Sequence, residues 1–506
     1  MKIIVKHIAA EAVASDLLAL GLFEGQSVTE AGYAGLDAAL GGLIGQVIAA
    51  GDFSGEALKT RLLYSPSDAV AARRVLLVGL GKQAEFSLTV VRQAAGVAAQ
   101  ALAELKLRRL ATGLHGLTSV GITADRAAQA TVEGTLLGLY RFLTHKREEN
   151  MQRPTVNADE LILLAPSAEA VSELEAGAQV GEIMATSANL VRDLVNEPGN
   201  YVTPKVLAEQ AQVMTQGLGI NLTVYDEAAM REMGMESFLS VSRGSAQEAQ
   251  FIVLEYFPAG AEAADTLVLV GKAITFDTGG ISLKPNDGMW EMKRDMAGGA
   301  AVIGALRTIA QLKLPVRVVG LVCAAENMPG PDAIKPGDVV KAMNGKSVEY
   351  ISTDAEGRMV LADGLCYSAR YQPAAVIDCA TLTGSIVMAL SSDMSGVFSN
   401  DEALFTRVQK AADAAGEPVW RMPLWKPYRE RINSDVADMK GSTGTRYAGA
   451  ITAALFLQEF APANTPWMHM DIAGSAWQED HKPYAPRGAS ANPMRTLVEL
   501  ARMWAE

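Results

Sequence analysis

Thr266-Leu267-Val268-Leu269-Val270-Gly271-Lys272-Ala273-Ile274-Thr275-Phe276-Asp277-Thr278-Gly279-Gly280 is the stretch on which the fold turns. A short apolar run has the look of a buried strand. It passes at once into a lysine, a carboxylate and paired glycines. Polar groups in that position belong to a site rather than to a core. Lys272 closely follows the run and is expected at the carboxyl end of a strand, where open α/β sheets collect their ligands.

Working outward, residues 316–322, 375–379 and 468–472 read as further buried strands, and 291–312 and 445–460 contain amphipathic helices. Strand and helix periods alternating over some 300 residues predict an α/β domain with a mostly parallel central sheet. Upstream, Arg74-Val75-Leu76-Leu77-Val78-Gly79-Leu80-Gly81 is a strand pattern ending in glycines, and 91–105 reads as a helix. Another strand, Leu161-Ile162-Leu163-Leu164, is closed by Pro166. The proline-free pattern over 168–194 predicts a linker helix. The expected organisation is a smaller N-terminal α/β domain over 1–167, the linker helix over 168–194, and a larger α/β domain over 195–506.

At 506 residues the chain is too long for one ordinary core. A formal charge of −13 argues against nucleic acid as a partner, since phosphate binding draws on clustered Lys and Arg. Cys323, Cys366 and Cys379 sit in apolar surroundings without CxxC spacing, as free buried thiols of a reducing compartment would. The opening Met1-Lys2-Ile3-Ile4-Val5-Lys6-His7 is strand-like and lacks the apolar core of a signal peptide. No apolar run approaches the roughly 18–20 residues that span a bilayer. A cytoplasmic location is expected.

The chemistry lies in two short segments and a third between them. Asp277, Asp295, Asp354 and Glu356 cannot be packed together without compensating charge, because like charges raise one another's pKa. Two divalent cations would balance four carboxylates, and two-metal hydrolases hold such a pair about 3.5–4 Å apart. The five histidines (His7, His115, His145, His469, His481) form no HExxH, which excludes the usual mononuclear zinc protease. An oxygen-rich site suits Mn²⁺, Mg²⁺ or Zn²⁺ alike. Each feature alone has a plainer reading: Asp-Ala-Glu-Gly as a solvated turn, Lys272 and Lys284 as surface charges. Ser282 lacks the GxSxG frame of a nucleophile. Gly79-Leu80-Gly81-Lys82 lacks the remaining residues of a phosphate-binding loop and reads as a strand-ending turn.

Taken together, GKAITFDTGGISLKP, MKRDMAGGAAV, TDAEGR and DCATLTG resemble the leucyl aminopeptidase family. AENMPG at 325–330, Tyr447-Ala448-Gly449-Ala450-Ile451 and HMDIAG from His469 extend the likeness, in order, over about Arg192 to Leu500. The N-terminal third is more weakly similar, through VLLVGLGK. The resemblance implies a macro-like N-terminal α/β domain and two metal ions, Mn²⁺ or Zn²⁺. Asp277 and Glu356 would bridge them, Asp354 would complete one site, and Lys272 and Asp295 the other. A ligating lysine must be neutral.

It further implies attack by a bridging hydroxide on the bond after a free N-terminal residue. Lys284 would stabilise the gem-diolate, and Arg358 would hold a bicarbonate acting as general base. The family's pocket for the N-terminal side chain maps to Met292, Thr381, Gly384 and Ala473, small or apolar positions suited to Leu- or Met-like residues. Met292 also fits a plain core methionine. Short peptide substrates and a homohexamer are implied as well.

Three departures stand out. Ser352 replaces the family's usual Asn, 295–299 differs slightly in its small-residue order, and Arg487–Pro493 replaces a more glycine- and aromatic-containing stretch. Two other readings are weighed: a di-metal hydrolase of phosphate esters, normally richer in histidine, and a non-catalytic or DNA-binding homologue. Retention of the whole ligand set and the negative charge argue against them.

Overall fold

The computed structural model describes residues 1–66, 68–113, 121–147, 158–445 and 447–505; His115 lies outside them. The chain forms two compact units, Met1–Thr186 with Asp480–Pro486, and Ser187–Glu479 with Arg487–Glu506. The helix Ala170–Asn196 runs across the change from one to the other.

In the first unit, six strands lie in the order Lys2–Lys6, Glu160–Leu164, Arg109–Thr112, Leu17–Leu22, Arg74–Gly79, Thr60–Tyr64. All neighbours are parallel except the last pair. Leu17–Leu22 is buried along its whole length, as an unbroken apolar run in mid-sheet should be. Helices Leu88–Glu104 and Ala124–Gly138 pack together around a buried ion pair, Arg92 Nε to Glu133 Oε2 at 2.6 Å. Gly79 ends its strand where the turn is expected.

The second unit is built on eight strands. Their order is Val419–Arg421, Ser395–Ser399, Trp467–Asp471, Ala375–Ala380, Thr266–Asp277, Arg317–Asn327, Gln250–Tyr256, Ile220–Tyr225. The four middle strands are mutually parallel. Antiparallel pairs flank them on both sides. The architecture is α/β, with helix Ala297–Gln311 nearly all buried against the middle strands.

One expectation is revised. Thr266–Asp277 does not end before Lys272 but runs five residues beyond it, because Arg317–Asn327 pairs with it as far as Asn327 opposite Asp277. On its other side, pairing with Ala375–Ala380 stops at Cys379 opposite Gly271. Lys272 therefore lies within its own strand but just beyond the last pair with its neighbour. The amphipathic pattern over 291–312 likewise divides into a 3₁₀ turn, Met289–Met296, and the α-helix Ala297–Gln311. Among the described residues no helix is long and apolar enough to cross a membrane.

Candidate metal centre and cleft

A cleft of about 810 Å³ opens at the carboxyl end of the middle strands. Lys272, Asp277, Lys284, Asp295, Asp354, Glu356 and Arg358 all line it, as do Met292, Thr381, Gly384 and Ala473. The cleft thus brings together every residue that the family resemblance assigned to the site. They arrive on separate elements: Lys272 and Asp277 on one strand, Lys284 on the loop after it, Met292 and Asp295 on the 3₁₀ turn. Asp354 stands on the short turn Thr353–Ala355, and Glu356 and Arg358 in the first turn of helix Glu356–Ser368.

The local geometry follows from small residues at tight points. Gly279 has φ +86°, and a Cβ there would fall 2.9 Å from Asp354 Oδ1 and 2.5 Å from Ser282 O. Only glycine lets the loop after Asp277 fold back over the acidic turn. At Gly357 a Cβ would stand 2.7 Å from Lys272 Nζ, so the missing side chain is the slot in which the lysine lies. Ser352 caps the acidic turn, its Oγ accepting from Asp354 N at 3.3 Å. The departure at Arg487–Pro493 forms a short strand, Gly488–Ala489, paired with Trp477–Gln478. Asn196 Oδ1 accepts from Ala489 N there at 3.1 Å.

Lys272 is 2 % exposed, and its Nζ lies 2.7 Å from Asp295 Oδ2 and 2.8 Å from Glu356 Oε1. It also donates to Thr381 O at 2.8 Å. Lys284 Nζ lies 2.6 Å from Asp277 Oδ2 and in direct contact with Asp354 Oδ1. Asp277 Oδ1 accepts from Gly279 N at 2.9 Å and from Asn327 Nδ2 at 2.8 Å. Thr381 Oγ1 donates to Asp295 Oδ1 at 2.7 Å. Arg358 Nη1 donates to Gly441 O at 2.8 Å, while its buried Nε has no partner among the described residues.

Burial disfavours the charge on both lysines, yet the surrounding carboxylates outweigh it and raise both above the ordinary lysine range. The carboxylates divide. Burial, with Glu356 adding repulsion, lifts Asp354 to about 6 and raises Asp277. Asp295 is lifted to about 8, by burial first and despite Lys272. Glu356 is the exception: burial pushes it up, but Lys272 and Lys284 together bring it below the usual carboxylate range. Burial lowers Arg358 to about 10.

Two ammonium groups thus face four carboxylates. Oxygens of Asp277, Asp354 and Glu356 lie within 4.8 Å of one another, and Glu356 Oε2 is buried without a hydrogen-bond partner among the described residues. Oxygen donors converging at that spacing, with charge left over and one oxygen unfilled, fit divalent cations. Reading the sequence missed Asn327, which donates to Asp277 and, at 3.1 Å, to Thr353 O. Its signal was available: it ends a strand-like run, as Asp277 does. Asp471, described below, was missed as well.

Family models for the cytosol aminopeptidase family match residues 189–498 with its catalytic domain and 19–149 with its N-terminal domain. A probable cytosol aminopeptidase of Roseiflexus castenholzii is 46 % identical over 496 residues, covering 97 % of both chains. One of Solibacter usitatus is 43 % identical over 507 residues and covers both chains completely. Among solved structures, a tomato leucine aminopeptidase mutant superposes with TM-score 0.87 at 32 % identity, over 99 % of this chain and 96 % of that one. The bottromycin maturation enzyme BotP in complex with Mn gives 0.85 at 33 %, over 97 % and 100 %.

Proposed function

The chain belongs to the cytosol aminopeptidase family, and from that premise we propose that it releases N-terminal residues, Leu-like or Met-like by preference, from short peptides. The observation that carries this reading is the cleft's four convergent carboxylates, with only two lysines against them and Glu356 Oε2 unfilled. Asp277, Asp354 and Glu356, with Asp295 and Lys272, would hold two divalent cations, Mn²⁺ or Zn²⁺. When bound, these supply an activated water as nucleophile and polarise the scissile carbonyl.

The side chains have separate tasks. Its carboxylate neighbours hold the proton on Lys272 here; with cations bound that proton would pass to solvent and Lys272 would offer a neutral amine as a donor atom. Lys284 keeps its proton and stands over Asp277 and Asp354, so its charge meets the negative oxygen developing on the scissile carbon. Arg358, whose Nε is unpartnered among the described residues, would hold a bicarbonate, which would supply a general base there. Met292, Thr381, Gly384 and Ala473 receive the N-terminal side chain. The family likeness extends the proposal to a cytoplasmic homohexamer.

The test is release of Leu-anilide by protein stripped of metal and then given Mn²⁺ or Zn²⁺. Release is expected only after add-back, and only with the α-amine free. Absence of metal-restored release would sink the reading, as would equal release from an N-acetylated substrate.

A further inference from the structure

DCATLTG and HMDIAG lie some ninety residues apart, and of their members only Thr381, Gly384 and Ala473 have so far been given a task. Their strands, Ala375–Ala380 and Trp467–Asp471, are parallel neighbours, with Asp378 opposite His469 and Ala380 opposite Asp471. Each motif contributes one buried aspartate that bonds to the other. Asp378 takes His469 Nδ1 at 2.5 Å and Trp467 Nε1 at 2.8 Å, which ties strand to strand.

Asp471 acts further along. Its Oδ1 accepts from the backbone N–H groups of Leu382, Thr383 and Ala473, at 3.1, 3.4 and 3.3 Å. Its Oδ2 accepts from Thr383 Oγ1 at 2.6 Å. Leu382, Thr383 and Ala473 line the cleft, whereas Asp471 itself is 1 % exposed. A single carboxylate therefore holds two facing segments of the cleft wall from behind. Only an acceptor-only group with two oxygens can take three N–H and one O–H donors together.

Thr383 Oγ1 in turn accepts from Ile386 N at 3.2 Å and so starts helix Gly384–Leu390. At the loop's other end, Thr381 bonds to Lys272 and Asp295. The loop is thus stretched between the acidic cluster and Asp471, and its distance from Ala473 depends on the Asp471 end.

We propose that Asp471 and Thr383 are positioning residues that set which N-terminal side chain the cleft accepts. This rests on the aminopeptidase reading above. The Asp378 contacts stay in place when Asp471 is removed, so the strands remain joined while the loop is released.

The experiment measures kcat/KM for Leu-anilide and Ala-anilide with Mn²⁺-supplemented wild type, Asp471→Ala, Thr383→Val and Thr383→Ser. Thermal melts run alongside. A well-shaped apolar pocket discriminates by about 10- to 200-fold per small change in side chain. The Leu-to-Ala ratio is expected to fall about tenfold in Asp471→Ala and in the near-isosteric Thr383→Val, mostly through KM for Leu-anilide. Thr383→Ser, which keeps the hydroxyl, retains the ratio within about twofold. Should Asp471→Ala not fold, the Val and Ser pair decides. A ratio unchanged in Thr383→Val while both substrates slow equally overturns the proposal. A wild type with no metal-restored release overturns the aminopeptidase reading and this inference with it. An active wild type whose variants keep its ratio overturns this inference alone.

Discussion

Glu356 and Asp363 stand seven residues apart in one helix, both buried, and they are treated differently. Asp363 turns each oxygen to a backbone N–H, Oδ2 to Phe238 at 2.8 Å and Oδ1 to Met343 at 2.7 Å. Glu356 has one oxygen on Lys272 and the other without a hydrogen-bond partner among the described residues, and it faces Asp277 and Asp354. Asp363 has its acceptors filled by its own fold and is a structural carboxylate. Glu356 belongs to a group whose charge the fold leaves partly unanswered. A buried acid is a sign of function when its partners are incomplete, rather than merely because it is buried.

The largest effect should come from breaking the functional side of this comparison. Glu356→Ala is expected to lower kcat/KM for Leu-anilide on the order of a thousandfold or more, since it removes a residue proposed to bridge both cations. Its thermal midpoint without metal should fall, because buried Lys272 loses one of its two carboxylate partners. Full activity in this variant would refute the assignment. Next comes Lys284→Met, which keeps the side chain's length without its charge. Loss of one group that stabilises developing charge costs about 10²–10³-fold in kcat. Mn²⁺ uptake, followed by calorimetry, should persist; loss of uptake instead would move Lys284 from transition-state stabiliser to site architecture.

The smallest effect sharpens the structural side. Asp363→Ala leaves two N–H groups, buried Phe238 and half-buried Met343, without this acceptor and should lower unfolding free energy by about 1–3 kcal/mol at pH 5. Activity per folded molecule should be unchanged. Burial raises Asp363 to about 7 against the pull of its backbone donors. Because the folded state holds this proton more tightly than the unfolded one, the group's contribution is complete below about pH 4 and is lost as pH rises through about 7. Denaturant titrations should therefore show the gap between wild type and Asp363→Ala narrowing over that window. A gap that widens with pH would contradict the assignment.

Much of this was legible in the chain. The apolar runs are long, β-rich and evenly separated by helical stretches, so 375–379 falls inside the strand Ala375–Ala380 and 316–322 overlaps Arg317–Asn327 in all but its first residue. Acids beside glycines at strand ends identified the cleft residues. The end of the strand holding Lys272 was not legible, because its last residues are kept extended by pairing with Arg317–Asn327 rather than by their own pattern. Asp480–Pro486 belongs with the first unit although it lies near the C-terminus, and nothing local signals such a return. Asp471 reads as one of two polar residues, with His469, in an otherwise apolar strand; three of its four donors come from a loop ninety positions away.

The slot at Gly357 bears on which substitutions the protein can tolerate. The three atoms nearest a methyl group there are Cδ, Cε and Nζ of Lys272, the far end of a flexible side chain that can be pushed aside. Gly357→Ala would thus spare the fold and evict the amine from Asp295 and Glu356. Positions 272 and 357 are thus coupled in space: the lysine keeps its place beside Asp295 and Glu356 only while 357 carries no side chain.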